Sequence, residues 1–189
     1  MLNHKGTVNL ETPRLILRSF IESDAEAMFK NWASRDIVTK YMSWFPHKDI
    51  EETKNIIRAW IEEDEKSNRY HWAIVLKSTN EVIGSIGVVR QKEDVKSAEM
   101  GYCIGDDFWH RGYTSEALAR IIEYLFKEIG YNRISALHDV NNPNSGAVMK
   151  KCGMKYDGTL RESGLTKEGN PMNVSIYAIL KSDWKEQNK

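Results

Sequence analysis

The stretch Ala98-Glu99-Met100-Gly101-Tyr102-Cys103-Ile104-Gly105-Asp106-Asp107-Phe108-Trp109-His110-Arg111-Gly112-Tyr113-Thr114-Ser115-Glu116-Ala117 changes its hydrophobic period midway. Ala98 to Ile104 reads as a strand. Gly105 to Gly112 is a turn. From Tyr113 the period becomes helical, with Leu118, Ile121, Ile122, Leu125 and Ile129 on one face and Gly130 as terminator. A strand, a glycine and a helix start in that order leave unpaired N–H groups and a positive dipole end, which suit an anion. Gly112 lets a phosphate approach the backbone, and Arg111 adds a fixed positive charge. Alone, the same pattern is equally a plain turn.

Working outward, Tyr70–Leu76 and Val82–Arg90 read as a hairpin across the Ser78-Thr79-Asn80 turn. Upstream, Leu15–Arg18 is a strand, and Ser23-Asp24-Ala25-Glu26 reads as a capping box before a helix carrying Ala25, Met28, Phe29 and Trp32. A second helix begins near Asp49, with Glu52 three residues on. Tyr41-Met42-Ser43-Trp44-Phe45-Pro46 between them is an aromatic connection, and loops are where binding residues concentrate. Downstream, Ile134–Val140 is a strand, and Asn142-Pro143-Asn144-Ser145 leads into a short helix opened by Ser145 and stopped at Gly153. Asn142 and Ser145 there read as a site or as a cap. Strands at Lys155–Arg161 and Val174–Leu180 close an α+β (mixed α/β) chain, with Leu165–Pro171 as their loop.

Glu99 lies among apolar and small residues. A buried carboxylate must be paired, protonated or functional, whereas on a half-exposed sheet it simply meets water. Alternation puts Glu99 on the face of Gly101 and Cys103, opposite Met100 and Tyr102.

Composition bounds the partners. The 189 residues carry 27 Lys+Arg against 27 Asp+Glu and are 41% hydrophobic. That size fits one domain, residues 1–189, and the hydrophobic content argues against disorder. A protein that neutralises nucleic-acid phosphates needs a basic excess, so nucleic acid is not the expected partner. No run approaches the ~18 apolar residues of a membrane span. The start of the chain lacks a secretion signal, and Cys103 and Cys152 form neither a disulfide framework nor a zinc pattern. A cytoplasmic protein with reduced thiols and no metal is expected.

These features carry a resemblance. Leu10-Glu11-Thr12-Pro13-Arg14-Leu15-Ile16-Leu17-Arg18 resembles the opening L-x-T-x-R-L-x-L-R of the GNAT N-acetyltransferases, in their RimJ/RimL-like, ribosomal-protein-alanine branch. Ala98-Glu99-Met100-Gly101-Tyr102 is similar to that branch's A-E-I-G-Y strand. Trp109 to Ala117 resembles its W-G-K-G-Y-A-T-E-A acetyl-CoA motif, and Asn142-x-x-Ser145 with Lys151-Cys152-Gly153-Met154 resembles N-x-x-S…K-x-G-F. Tyr177 and Trp184 sit where the closing pattern ends.

The resemblance implies a mostly antiparallel seven-stranded sheet, splayed between its fourth and fifth strands and flanked by about four helices. Acetyl-CoA would lie in the opening. Its pyrophosphate would take backbone N–H groups of Arg111, Gly112, Tyr113, Thr114 and Ser115, and its pantetheine would pair with the backbone of Cys103 and Ile104. Asn142 and Ser145 would line the thioester end. Glu99 would be the base and Ser145 the acid, because Met149 stands where many relatives carry a tyrosine. His110 and Thr114 replace smaller residues of the pattern, and Met154 replaces its phenylalanine. Tyr41, Trp44 and Phe45 would line the acceptor site. The partners implied are acetyl-CoA and a primary amine: a peptide N-terminus of the ribosomal-protein type, or a polyamine, antibiotic or amino-acid-like small molecule. Two other classes remain: a non-catalytic acyl-CoA sensor and, last because Walker spacing and G-x-G-x-x-G are absent, a nucleotide-binding module; homodimer formation stays open.

Overall fold

Two short apolar segments start the sheet because Thr12 turns the chain between them. Its N–H donates to the Leu15 carbonyl at 3.0 Å, and its hydroxyl oxygen accepts the Leu15 N–H at 2.9 Å. β1 (Leu10–Glu11) and β2 (Leu15–Arg18) pair across that turn. The computed structural model describes residues 1–187. β3 (His71–Leu76), β4 (Glu81–Lys92) and β5 (Ser97–Ile104) continue the antiparallel meander. β6 (Arg133–Asp139) then joins β5 in parallel, and β8 (Pro171–Leu180) and β7 (Lys155–Leu165) complete the order β1-β2-β3-β4-β5-β6-β8-β7.

The sheet therefore has eight described strands rather than seven, because the two-residue β1 is an extra edge. Six helices surround it rather than about four. The two that sequence periodicity missed as elements, α2 (Asp36–Thr39) and α6 (Lys181–Gln187), are too short for a hydrophobic stripe. The splay lies between β5 and β6. They pair from Ser97–Arg133 to Met100–Ala136, and then β5 continues to Ile104 and β6 to Asp139 without each other.

Alternation along the strands feeds two cores. Leu15, Leu17, Trp72, Ile74, Ala98, Met100 and Ile134 face α4 (Tyr113–Tyr124), with its continuation to Ile129, and α5 (Pro143–Lys151). Ala73, Val75, Val82 and Cys103 face α1 (Ala25–Met28), its continuation Phe29–Ala33, and α3 (Ile50–Asp64). Met100 and Cys103 thus lie on opposite faces, as alternation requires.

Cap chemistry departs from the sequence reading in two places. The box expected at Ser23 is replaced by Asp24, which accepts the Ile21 N–H at 3.0 Å and both Arg18 guanidinium nitrogens at 2.7 and 2.8 Å. Aspartate reaches further than serine and carries a charge for Arg18. At α5 the helix opens at Pro143, not Ser145, because Asn142 caps it by accepting the Ser145 N–H at 3.4 Å. At the start of α3 the Asp49 carboxylate accepts the Glu52 N–H at 2.9 Å, and the Glu52 carboxylate accepts the Lys48 N–H at 2.8 Å.

Motif binds motif at the head of α4. Glu116, in its first turn, accepts the Thr12 hydroxyl at 2.6 Å, the Arg14 N–H at 3.0 Å and the Arg14 Nε at 2.6 Å. Burial opposes ionisation of this carboxyl, but these bonds together hold it below its ordinary 4.5. A depressed carboxyl contributes stability above its unfolded pKa and loses it as pH falls through the folded value. Glu116→Gln should therefore lower the melting temperature at pH 7, by about 1–2 kcal/mol of stability given the half-exposed arginine. The gap from wild type should shrink as pH drops below 4.5. Melting curves across that range check the sign.

Candidate active site

The parting of β5 and β6 exposes backbone that a continuous sheet would pair. Gly105 N–H donates to the Ile83 carbonyl at 2.9 Å, which makes Ser85–Cys103 and Gly87–Gly101 the hydrogen-bonded pairs of the β4–β5 ladder. The polar backbone of Cys103 is therefore spent on β4, and the groups that face the opening belong to Tyr102 and Ile104. This corrects the expectation for Cys103, whose side chain lines the opening instead. The Ile104 carbonyl already accepts the Trp109 indole N–H at 2.9 Å, which draws the turn back against the strand.

The turn ends on two left-handed residues, His110 (φ 58°) and Gly112 (φ 78°). His110 stands where the family pattern has glycine, and this conformation explains that preference. Glu116 N–H is bonded to the Gly112 carbonyl at 3.0 Å, so the N–H groups of Tyr113, Thr114 and Ser115 precede the first intrahelical bond and face outward. Gly112, Tyr113, Thr114 and Ser115 line a cavity of about 470 Å³ with Ile104, Trp109, Asn142 and Ser145. Arg111 does not line it. Its side chain is exposed and its carbonyl is held by Arg14 Nη1 at 3.0 Å, while Arg14 stacks 4.5 Å over the Tyr113 ring. Two lysines do line it: Lys40, just after α2, and Lys151, whose Nζ would sit 3.3 Å from a Cβ at position 112. Sequence reading missed Lys151 because it lies one α5 length away. Its place in the matched Lys-Cys-Gly-Met motif was the available signal.

A second cavity, about 510 Å³, lies on the α3 side of the opening. Glu99, Gly101, Cys103, Tyr41 and Trp44 line it, together with Trp60 and His71 from α3 and β3. Phe45 does not: it is 59% exposed, with Lys167 Nζ 5.5 Å over its ring. The Glu99 carboxylate has no hydrogen-bond or ion-pair partner among the described residues, unlike nearby Asp139, which accepts the Asn141 N–H and amide at 2.9 and 3.0 Å. Burial pushes the His71 imidazole down to about 4, so that ring is neutral.

The two cavities join. Tyr41, Met42, Tyr102, Cys103, Asn142 and Ser145 line both. The sequence places Tyr102 only on the strand face opposite Glu99 and gives it no role in the site. At the junction its hydroxyl donates to the Ser145 carbonyl at 2.9 Å and accepts the Ser145 hydroxyl at 3.0 Å. Burial pushes the Cys103 thiol up to about 12, so it is not a nucleophile at neutral pH.

Comparison with known proteins agrees with this layout. Residues 14–155 match the family model described as the acetyltransferase (GNAT) domain. YoaA of Bacillus subtilis, an uncharacterized N-acetyltransferase, is 33% identical over 172 residues, covering 91% of this chain and 96% of that protein. A GNAT-family acetyltransferase from Bacillus anthracis superposes with a TM-score of 0.81 at 25% identity, covering 93% of this chain and 99% of its own. The microcin C7 self-immunity acetyltransferase MccE, solved with acetyl-CoA and AMP, superposes at 0.80 and 21% identity, covering 89% and 93%. The opening between β5 and β6, the glycine-led head of α4 and the matched residues have one common account: the chain belongs to the GNAT acetyltransferase family, in its RimJ/RimL-like branch, and is an N-acetyltransferase.

Proposed function

We propose that this enzyme carries an acetyl group from acetyl-CoA in the β5–β6 opening to the α-amine of a peptide or protein N-terminus on the α3 side. The observation that carries this reading is the junction of the two cavities at Tyr102, Cys103, Asn142 and Ser145, with an unpartnered Glu99 on the acceptor side. The acetyl-CoA bound to MccE supports the donor assignment.

The outward N–H groups of Gly112, Tyr113, Thr114 and Ser115 take the pyrophosphate, and Lys151 adds the charge that Arg111 was expected to supply. Pantetheine runs along the backbone of Tyr102 and the N–H of Ile104, whose carbonyl is taken by the Trp109 indole. The amine nitrogen attacks the thioester carbon, the C–S bond breaks, and the amine's proton goes to Glu99 directly or through water. Ser145 hydrogen-bonds the departing sulfur. An α-amine, with a pKa of about 7.7–8.0, is roughly a tenth neutral or more at pH 7, whereas a free lysine amine, at about 10.4, is neutral to well below roughly 0.1%. The former therefore asks less of the one carboxylate, Glu99, that no side chain holds. A second reading, a small polyamine acceptor, draws on Glu63 and Asp64 at the far end of the same cavity.

Glu99→Gln should lower kcat about 100-fold while leaving acetyl-CoA affinity within about twofold of wild type. Steady-state rates and calorimetry read the two effects separately, and unchanged turnover removes Glu99 from the reaction. Gly112→Glu sets a carboxylate beside the phosphates on a backbone that resists side chains, and should weaken acetyl-CoA binding at least about 100-fold by calorimetry. A free-thiol assay over short peptides and polyamines decides the acceptor: turnover of polyamines alone refutes the N-terminal reading.

A further inference from the structure

The hydroxyls of Tyr102 and Ser145 form a closed pair at the cavity junction. Ser145 Oγ donates to Tyr102 Oη at 3.0 Å, and Tyr102 Oη donates to the Ser145 carbonyl at 2.9 Å. In that arrangement Ser145 has its only proton committed and presents lone pairs to the cavity. A group that presents lone pairs repels a forming thiolate, so Ser145 must turn before it can help.

We propose that Tyr102 is a positioning residue that turns Ser145 into a hydrogen-bond donor as the C–S bond breaks. The inference rests on the assignment of Ser145 to the leaving sulfur. The exchange is conservative. Tyr102 moves its proton from the Ser145 carbonyl to Ser145 Oγ, and Ser145 moves its own from Tyr102 to the sulfur. Two hydrogen bonds precede the change and two follow it, so neither hydroxyl is left unpaired. The Ser145 carbonyl is not orphaned, because it lies in the first turn of α5 and faces the N–H of Met149 four residues on. In the resulting chain each hydroxyl polarises the next, which strengthens the last bond. No proton leaves the phenol, because burial pushes its pKa well above the ordinary 10.0. It acts only as a donor, and the thiolate acquires its proton later from solvent. The two residues come from elements on opposite sides of the opening, β5 and α5, so the pair forms only where the splay brings them together.

Tyr102→Phe keeps the ring in its packing and removes the hydroxyl. It should lower kcat roughly 10-fold, the loss expected for one hydrogen bond, with KM for acetyl-CoA within about twofold. Ser145→Ala should do the same or more, and the double variant should be no more than about twofold slower than Ser145→Ala. A spectroscopic readout tests the same bond without turnover. The thiol of bound CoA, titrated by its thiolate absorbance against ligand-free protein, should ionise about one pH unit higher in Tyr102→Phe than in wild type. Cys103 and Cys152, both pushed up to about 12 by burial, stay silent in that window. An unchanged kcat and thiol titration in Tyr102→Phe, with Ser145→Ala impaired, overturns the positioning role and leaves the Ser145 assignment standing. Additive losses in the double variant also overturn it. An unimpaired Ser145→Ala sinks the Ser145 assignment, and the inference with it.

Discussion

β5 and β6 are bonded from Ser97–Arg133 to Met100–Ala136 and then go separate ways, and the candidate site is the consequence. Each strand is held elsewhere along its full length: β5 by the β4 ladder, and β6 by β8 from Arg133–Leu180 to Asp139–Val174. Neither can bend to close the gap without losing its own ladder. A parallel pair at that point would also need the Ile104 carbonyl, which the Trp109 indole N–H already occupies. The opening is therefore built into two rigid half-sheets and needs no ligand to hold it apart. Backbone groups of Tyr102 and Ile104 that would be unsatisfied in a dry interior face a cavity, where water or a ligand chain can pair with them.

The head of α4 is the second constraint. Its N–H groups point into the opening only if the helix axis is aimed there, and the aim is set by Glu116. Thr12 and Arg14, over a hundred residues upstream, grip both oxygens of that carboxylate, while Arg14 also reaches the Arg111 carbonyl and covers Tyr113. One arginine thereby fixes the turn and the helix together. The anion site proposed there draws on oriented backbone dipoles with Lys151 beside them, and so requires no excess of positive charge over the whole chain. The balance of 27 basic and 27 acidic residues is consistent with such a site.

How far the sequence was legible follows from the range of the interactions involved. Most strands, the long helices and the glycine-led turn are set by local periodicity and backbone freedom and stand close to where the residues place them, whereas the last two strands run on to Leu165 and begin at Pro171, past the expected Arg161 and Val174, because they pair with each other into the hairpin tip. The Ser23 box failed because a longer acid one residue away had Arg18 within reach, a contact that no i,i+3 rule contains. Cys103 was assigned to the opening by its strand, but which backbone groups face outward depends on ladder register, which Gly105 and Ile83 decide. Tyr102 was hidden for the same reason: its ring belongs to the core while its hydroxyl emerges at the junction. Arg111 looked like the phosphate cation because it is adjacent in sequence, whereas Lys151 is adjacent in space.

The donor and acceptor sides of the site rest on different kinds of structure, and this explains why the motifs speak for one and not the other. The proposed donor side is made of β5, the head of α4 and the start of α5, all seated on one continuous core, and the proposed acceptor side is not. The acceptor side is bounded by the Tyr41–Trp44 connection and by the tip of the β7–β8 hairpin, with Leu165 and Thr166 in its wall. The hairpin tip touches the residues flanking that connection through Lys167, which reaches Thr39 Oγ1 at 3.4 Å and lies over Phe45. Such a contact stores little of the folding energy, because it is a half-exposed cation on a hydroxyl and an exposed ring. Residues there can change without disturbing either core, so acceptor preference can vary while the donor geometry stays fixed. A sequence pattern shared across a family then records the half that the fold constrains, and the acceptor must be read from the walls of this one cavity.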